Sequence, residues 1–117
     1  MRQIDIFFHY KSVGNSATTP RDLTTDEDVW LMLVLLSESV AMRMRDLGSK
    51  CNVVEIYVRD NELSGFTRRR KLDTPTNVSI EIARIAFDLF KCNYSWPKPL
   101  RGIGVRGADL CSADCAV

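Results

Sequence analysis

The sequence contains a single histidine, His9, and none of its four cysteines (Cys51, Cys92, Cys111 and Cys115) forms a C-x-x-C pair. Cys111 and Cys115 lie close together near the C-terminus, far in sequence from His9. A zinc site is therefore not expected, and the cysteines read as reduced thiols of a cytoplasmic protein rather than as a disulfide framework. One isolated histidine and no recognisable cysteine partner leave little for nucleophilic or general-base chemistry, so a small enzyme is the least favoured class. No apolar run is long enough to span a bilayer; the longest, Val29 to Leu36, belongs to an amphipathic pattern. Met1-Arg2-Gln3-Ile4-Asp5 lacks the shape of a signal peptide. Internal repeats and low-complexity segments are missing too. The net charge is only +1, which argues for no partner by itself.

What is present is one domain's worth of chain: 117 residues, 45% hydrophobic and 26% charged. The charges are segregated. Lys11 to Thr19 carries one base and no acid, and Lys98 to Ala108 carries Lys98, Arg101 and Arg106 and no acid. Leu63 to Leu72 carries Arg68, Arg69, Arg70 and Lys71, again without an acid. Asp26 to Leu47 holds Asp26, Glu27, Asp28, Glu38 and Asp46 against Arg43 and Arg45. A near-neutral chain with this distribution is expected to have one basic face.

Periodicity gives the order βαββαβ. Lys11 to Thr19 reads as extended, with Val13 and Ala17 on one parity and Ser12, Gly14, Ser16 and Thr18 on the other. Pro20-Arg21-Asp22 is expected to end it. Thr24 with Glu27 three residues on predicts a capping box, and Val29, Leu33, Leu36, Val40 and Leu47 predict a helix over about 26–47 that Gly48 stops. Cys51 to Arg59 alternates as a strand, with Val54, Ile56 and Val58 opposite Glu55, Tyr57 and Arg59. Asp60-Asn61-Glu62 is turn chemistry. A third strand is expected over 65–72. Ile80, Ile82, Ile85, Ala86, Leu89 and Phe90 predict a second helix over about 77–91, and Leu100 to Gly107 predicts the last strand. The fold class is α+β: two helices bury their stripes on one face of a four-stranded sheet and leave the other face open.

The open face has a legible composition. It would show Ser12, Gly14, Ser16 and Thr18 from the first strand, and Gly102, Gly104 and Arg106 from the last. If Phe66 and Leu72 point inward, Thr67, Arg69 and Lys71 point outward from the third strand, while Arg68 and Arg70 must snorkel out at an edge. Glycines let a foreign backbone approach, and hydroxyls and guanidinium groups bind phosphate oxygens without reading base sequence. Each residue alone is more economically a solvated strand position; the set tilts toward nucleic acid.

Lys11-Ser12-Val13-Gly14-Asn15-Ser16 with Thr18-Thr19-Pro20-Arg21-Asp22-Leu23 resembles the "KSIGNE-TF-D" opening of the little finger domain of Y-family, DinB/UmuC-type translesion DNA polymerases. Thr67-Arg68-Arg69-Arg70-Lys71-Leu72 resembles that family's "TRSRTL" strand, and Pro75-Thr76 stands where its second helix begins. Leu100 to Gly107 resembles its final "R-x-IGVxx" strand. The resemblance covers about Lys11 to Leu110. It departs at Arg69, where the family often has Ser or Gly, and at Gly102, where some relatives carry a second Arg.

The resemblance implies a four-stranded antiparallel sheet whose open face grips the template–primer duplex by sequence-independent phosphate contacts. Carried over by position, those contacts fall on Lys11, Ser12, Gly14, Ser16 and Thr18, on Thr67, Arg68, Arg69, Arg70 and Lys71, and on Arg101, Gly102, Gly104 and Arg106. It implies that the catalytic carboxylates and their magnesium belong to a palm domain outside this chain, so no cofactor is expected here and the chain itself is not expected to be an enzyme. Met1 to Tyr10 is then expected to be an interdomain linker remnant, 11–110 the little finger and 111–117 a tail. Duplex DNA is the expected partner, with the sliding clamp a second candidate; a monomer without membrane attachment is expected. The runner-up is a stand-alone α/β RNA-binding module, which needs aromatic rings on its sheet face to stack on bases. Here Tyr57 is the sole plausible ring. A dimerising or small-molecule regulatory domain needs an apolar face that the open rows do not offer.

Overall fold

The computed structural model describes residues 12–113. Lys11, the expected linker at 1–10, and most of the expected tail, with Cys115, lie outside them. The elements run β1 (Ser12–Leu23), α1 (Asp26–Asp46), β2 (Ser49–Asp60), β3 (Gly65–Thr76), α2 (Ser79–Asn93) and β4 (Leu100–Ser112). The four strands form one antiparallel sheet in the order β1-β4-β2-β3. Both helices pack on one face, as expected from two amphipathic stripes. The last strand thus enters the middle of the sheet, and β1 and β3 form its edges.

Helix α1 is capped one residue later than the sequence suggests. The Thr25 side chain, not that of Thr24, accepts from the Asp28 backbone N–H, and the Asp28 carboxylate accepts from the N–H groups of Thr24 and Thr25. Both threonines have an acid three residues on, so the pattern has two solutions. The register that buries Val29, Leu33, Leu36, Val40 and Met44 selects the second. Those hydrogen bonds, first of all the one from Thr24, hold the Asp28 carboxyl below its ordinary value.

Helix α2 begins at Ser79 rather than Asn77 because Thr76 takes over the entry, its hydroxyl accepting from Val78 N–H and donating to Glu81. Ile82, Ala86, Leu89 and Phe90 are buried, but Ile80 stays exposed instead of extending the stripe. Strand β1 also passes the expected stop at Pro20 and reaches Leu23. The register with β4 shifts between Thr18 and Leu23, which accommodates a residue without an N–H on an edge strand.

The core lies between sheet and helices, with Val13, Val54, Ile56, Val58, Ile103 and Val105 facing the helical stripes. Phe90 sits at its aromatic end, with ring centroids 5.5 Å from Tyr94 and 5.7 Å from Trp96. Cys51 is buried and Cys92 exposed. Burial pushes the Cys51 thiol up to about 11, so little thiolate exists there near neutrality. Iodoacetamide at about pH 8 should alkylate Cys92 in the native chain and Cys51 only after denaturation. Peptide mass mapping checks this; equal labelling of the two would mean that the core opens locally on the labelling timescale.

Candidate nucleic-acid interface

The face opposite the helices is built in cross-strand rows, because neighbouring strands in register present side chains of one parity together. One row reads Thr18, Gly102, Arg59, Gly65 from β1 through β4 and β2 to β3. The next reads Ser16, Gly104, Tyr57, Thr67, and the next Gly14, Arg106, Glu55, Arg69. A fourth reads Ser12, Ala108, Val53, Lys71. The middle of this surface is a shallow depression of about 350 Å³, bordered by Ser16, Glu55, Tyr57, Thr67, Gly104 and Arg106.

The outward parity read from the sequence therefore holds for Ser12, Gly14, Ser16, Thr18, Thr67, Arg69, Lys71, Gly102, Gly104 and Arg106. On β3 it holds because pairing with β2 keeps a constant register from Gly65 to Lys71 and shifts only beyond, between Lys71 and Thr76. Phe66 and Leu72 pack inward against the core. Arg69 and Lys71 are exposed, and no acid among the described residues pairs with either.

The other expected cations are placed differently. Arg68 and Arg70 lie on the helix side of the β3 edge. Arg68 donates to Asn93 Oδ1 at 3.2 Å with its guanidinium 4.8 Å from the Phe66 ring centre, and Arg70 meets Asp88 at 2.9 Å. Arg101 shares the inward parity of Ile103 and Val105, donates to the Thr19 carbonyl at 3.1 Å and stands 3.5 Å from the Asp22 carboxylate. Lys98, in the same acid-free stretch, meets Glu62 at 2.7 Å, and that hydrogen bond raises its ammonium above the ordinary lysine value.

Three residues that sequence reasoning puts on the outward row of β2, but does not join to the site, turn out to shape it. Arg59 lies across Gly102: a Cβ there would come within 3.0 Å of Arg59 Nε. The same guanidinium donates to Thr18 Oγ1 at 3.3 Å. Over Gly104, a Cβ would stand 3.0 Å from Ser16 Cβ and 3.5 Å from Tyr57 Cβ. These glycines thus leave room for the chain's own Arg59, Ser16 and Tyr57 side chains, which lie beside them on the sheet. Third, Glu55 stands in register with both Arg106 and Arg69 and meets Arg106 Nε at 3.4 Å, while Arg106 also donates to Ser12 Oγ at 3.0 Å. The alternation of 55, 57 and 59 was the available signal. Which bases they would meet depended on a strand order that alternation does not encode.

Residues 10–116 match the model of the impB/mucB/samB family C-terminal domain. The chain is 43% identical over 104 residues to the DNA polymerase IV of Acetivibrio thermocellus and 37% identical over 103 residues to DNA polymerase IV 1 of Halalkalibacterium halodurans. These alignments cover 89% and 88% of the chain but only 26% and 25% of the relatives, so the chain spans about a quarter of their length. Among solved structures, the insertion ternary complex of Dbh DNA polymerase superposes with a TM-score of 0.75 at 13% identity, over 86% of this chain and 29% of that one. The fold is therefore shared even where the sequence is not, and the resemblance read from four short motifs extends to the whole described domain. The chain belongs to the impB/mucB/samB C-terminal domain family, the little finger of Y-family DNA polymerases.

Proposed function

We propose that this domain grips the sugar–phosphate backbone of a template–primer duplex through its open sheet face, as the non-catalytic part of a translesion DNA polymerase acting in DNA repair in the cytoplasm. The observation that carries the reading is the shared outward face of Arg69, Lys71, Arg106 and Arg59 with the hydroxyls of Ser12, Ser16, Thr18 and Thr67. Bases and hydroxyls serve phosphate oxygens without regard to sequence. The cations on β3 and β4 flank β2, and strands spaced about 4.8 Å apart put the two tracks roughly 10 Å from each other. That span is comparable with the major groove, about 12 Å wide between its phosphate walls. Relatives named DNA polymerase IV and a polymerase ternary complex of the same fold support the reading.

Among the described residues no three His, Cys, Asp or Glu side chains group as metal ligands; the chemistry proposed for this surface is binding. The comparisons lend nothing to the RNA-module alternative, and among the described residues Tyr57 is the only ring on the outward rows. Fluorescence anisotropy with a mixed-sequence duplex should show weak binding whose log Kd rises with log salt by roughly 0.9 per neutralised phosphate. Single-stranded RNA should bind less well. Salt-independent binding, strong preference for one base sequence, or preference for the RNA strand would each sink the proposal.

A further inference from the structure

The cross-strand row Gly14, Arg106, Glu55, Arg69 places one acidic residue between two arginines at the centre of the surface. Glu55 is in register with Arg106 on one side and Arg69 on the other. Its side chain is 23% exposed while that of Arg106 is 54% exposed, so the acid sits low on the sheet and the base reaches over it. Ser12 holds the same guanidinium from the β1 side. Arg106 is thus pre-engaged by its own chain, whereas no acid among the described residues pairs with Arg69.

We propose that Glu55 sets the strength of the interface, acting as an internal stand-in for phosphate that occupies Arg106 and repels a nucleic-acid backbone from the middle of the sheet. The inference rests on the gripping surface proposed above and adds a determinant that weakens it. A phosphate reaching Arg106 must displace the Glu55 carboxylate, so one phosphate's worth of counterion release is cancelled. The acid also blunts the β4 track at Arg106, which leaves Arg69 and Lys71 on β3 as the less opposed of the two tracks. Surface ion pairs contribute little to stability, so neutralising Glu55 changes binding without unfolding the domain.

The test uses the full chain, a fluorescein-labelled 20-base-pair duplex of mixed sequence, and five variants: E55Q, E38Q, R69A/K71A, R106A and E55Q/R106A. Glu38 is exposed on α1, away from the sheet face, so E38Q changes total charge equally. E55Q should bind roughly three- to tenfold tighter at low salt, with a salt slope steeper by about 0.9, and E38Q should match the parent. Adding R106A should cost more in the E55Q background than in the parent, because only there is Arg106 released. Equal gains from E55Q and E38Q would reduce the effect to net charge and overturn the inference. So would unchanged or weaker binding by E55Q, or an equal cost of R106A in both backgrounds. If R69A/K71A weakens binding as expected while E55Q does none of this, the inference fails and the gripping surface stands. If no form of the chain binds the duplex, both fail.

Discussion

Replacing Phe90 with Ala should lower the stability of the domain by about 3–5 kcal/mol, the usual range for deleting a buried aromatic ring. Phe90 is 1% exposed and is among the largest fully buried side chains among the described residues. Its ring lies 5.5 Å from that of Tyr94, 5.7 Å from that of Trp96 and 6.5 Å from that of Phe87. Tyr94 is further tied by its hydroxyl to the Lys98 carbonyl, and Trp96 by its indole N–H to Asp26 at the start of α1, 2.7 Å away. Anchored neighbours cannot collapse into the space, so the cavity left behind adds to the forfeited transfer energy. For a domain of this size that change moves the melting temperature down by roughly 15 °C or more. The matched control is Leu31→Ala: Leu31 is 62% exposed, and the change should stay within about 0.5 kcal/mol. Thermal melts followed by circular dichroism decide. A Phe90→Ala variant that melts with the parent would mean that the α2 end of the core is not where the fold is held.

The burial of Phe90 and the exposure of Leu31 have the same physical origin. A period of 3.6 picks out Val29, Leu33, Leu36 and Val40 as one stripe, and the helix buries them. Leu31 and Leu35 fall outside that stripe and are exposed, so periodicity rather than residue type was the informative quantity. The same holds on the sheet, where Phe66 and Leu72 fix the parity of β3 and thereby turn Arg69 outward. Alternation is a local property and survives any strand order.

Register between strands is not local. Nothing in the spacing of β2 and β4 says that Glu55 comes to rest beside Arg106, or that Arg59 lies across Gly102; those pairings exist because β4 enters between β1 and β2. Arg101 shows the same limit from the other side. It sits in an acid-free stretch of sequence, yet the shift in the β1–β4 pairing beyond Thr18 brings Asp22 against it. Basic runs in sequence therefore overstate the free positive charge. With these partners in place, Arg69 and Lys71 carry most of what remains on the open face.

Replacing Arg69 and Lys71 together with Ala should weaken duplex binding far more than replacing Arg43 and Arg45, although both pairs remove two charges and all four side chains are exposed. Arg43 and Arg45 occupy the last turn of α1, where cations suit the helix dipole. Arg43 donates to the Gly14 carbonyl at 2.9 Å and Arg45 to the Asn77 carbonyl at 3.0 Å, so both are engaged by their own chain and lie in the helical layer. Arg69 and Lys71 are presented by one edge strand on the face shared with Arg106, in register with Glu55 and Val53 of β2. Removing the cations that would neutralise two phosphates should lower the salt slope by roughly two units. At low salt, each such removal should weaken binding by roughly an order of magnitude. The helix pair should leave the slope unchanged, with melts confirming that both variants stay folded. Equal weakening by the two double variants would mean that only net charge matters, and a larger effect from Arg43 and Arg45 would put the duplex on the helical layer instead.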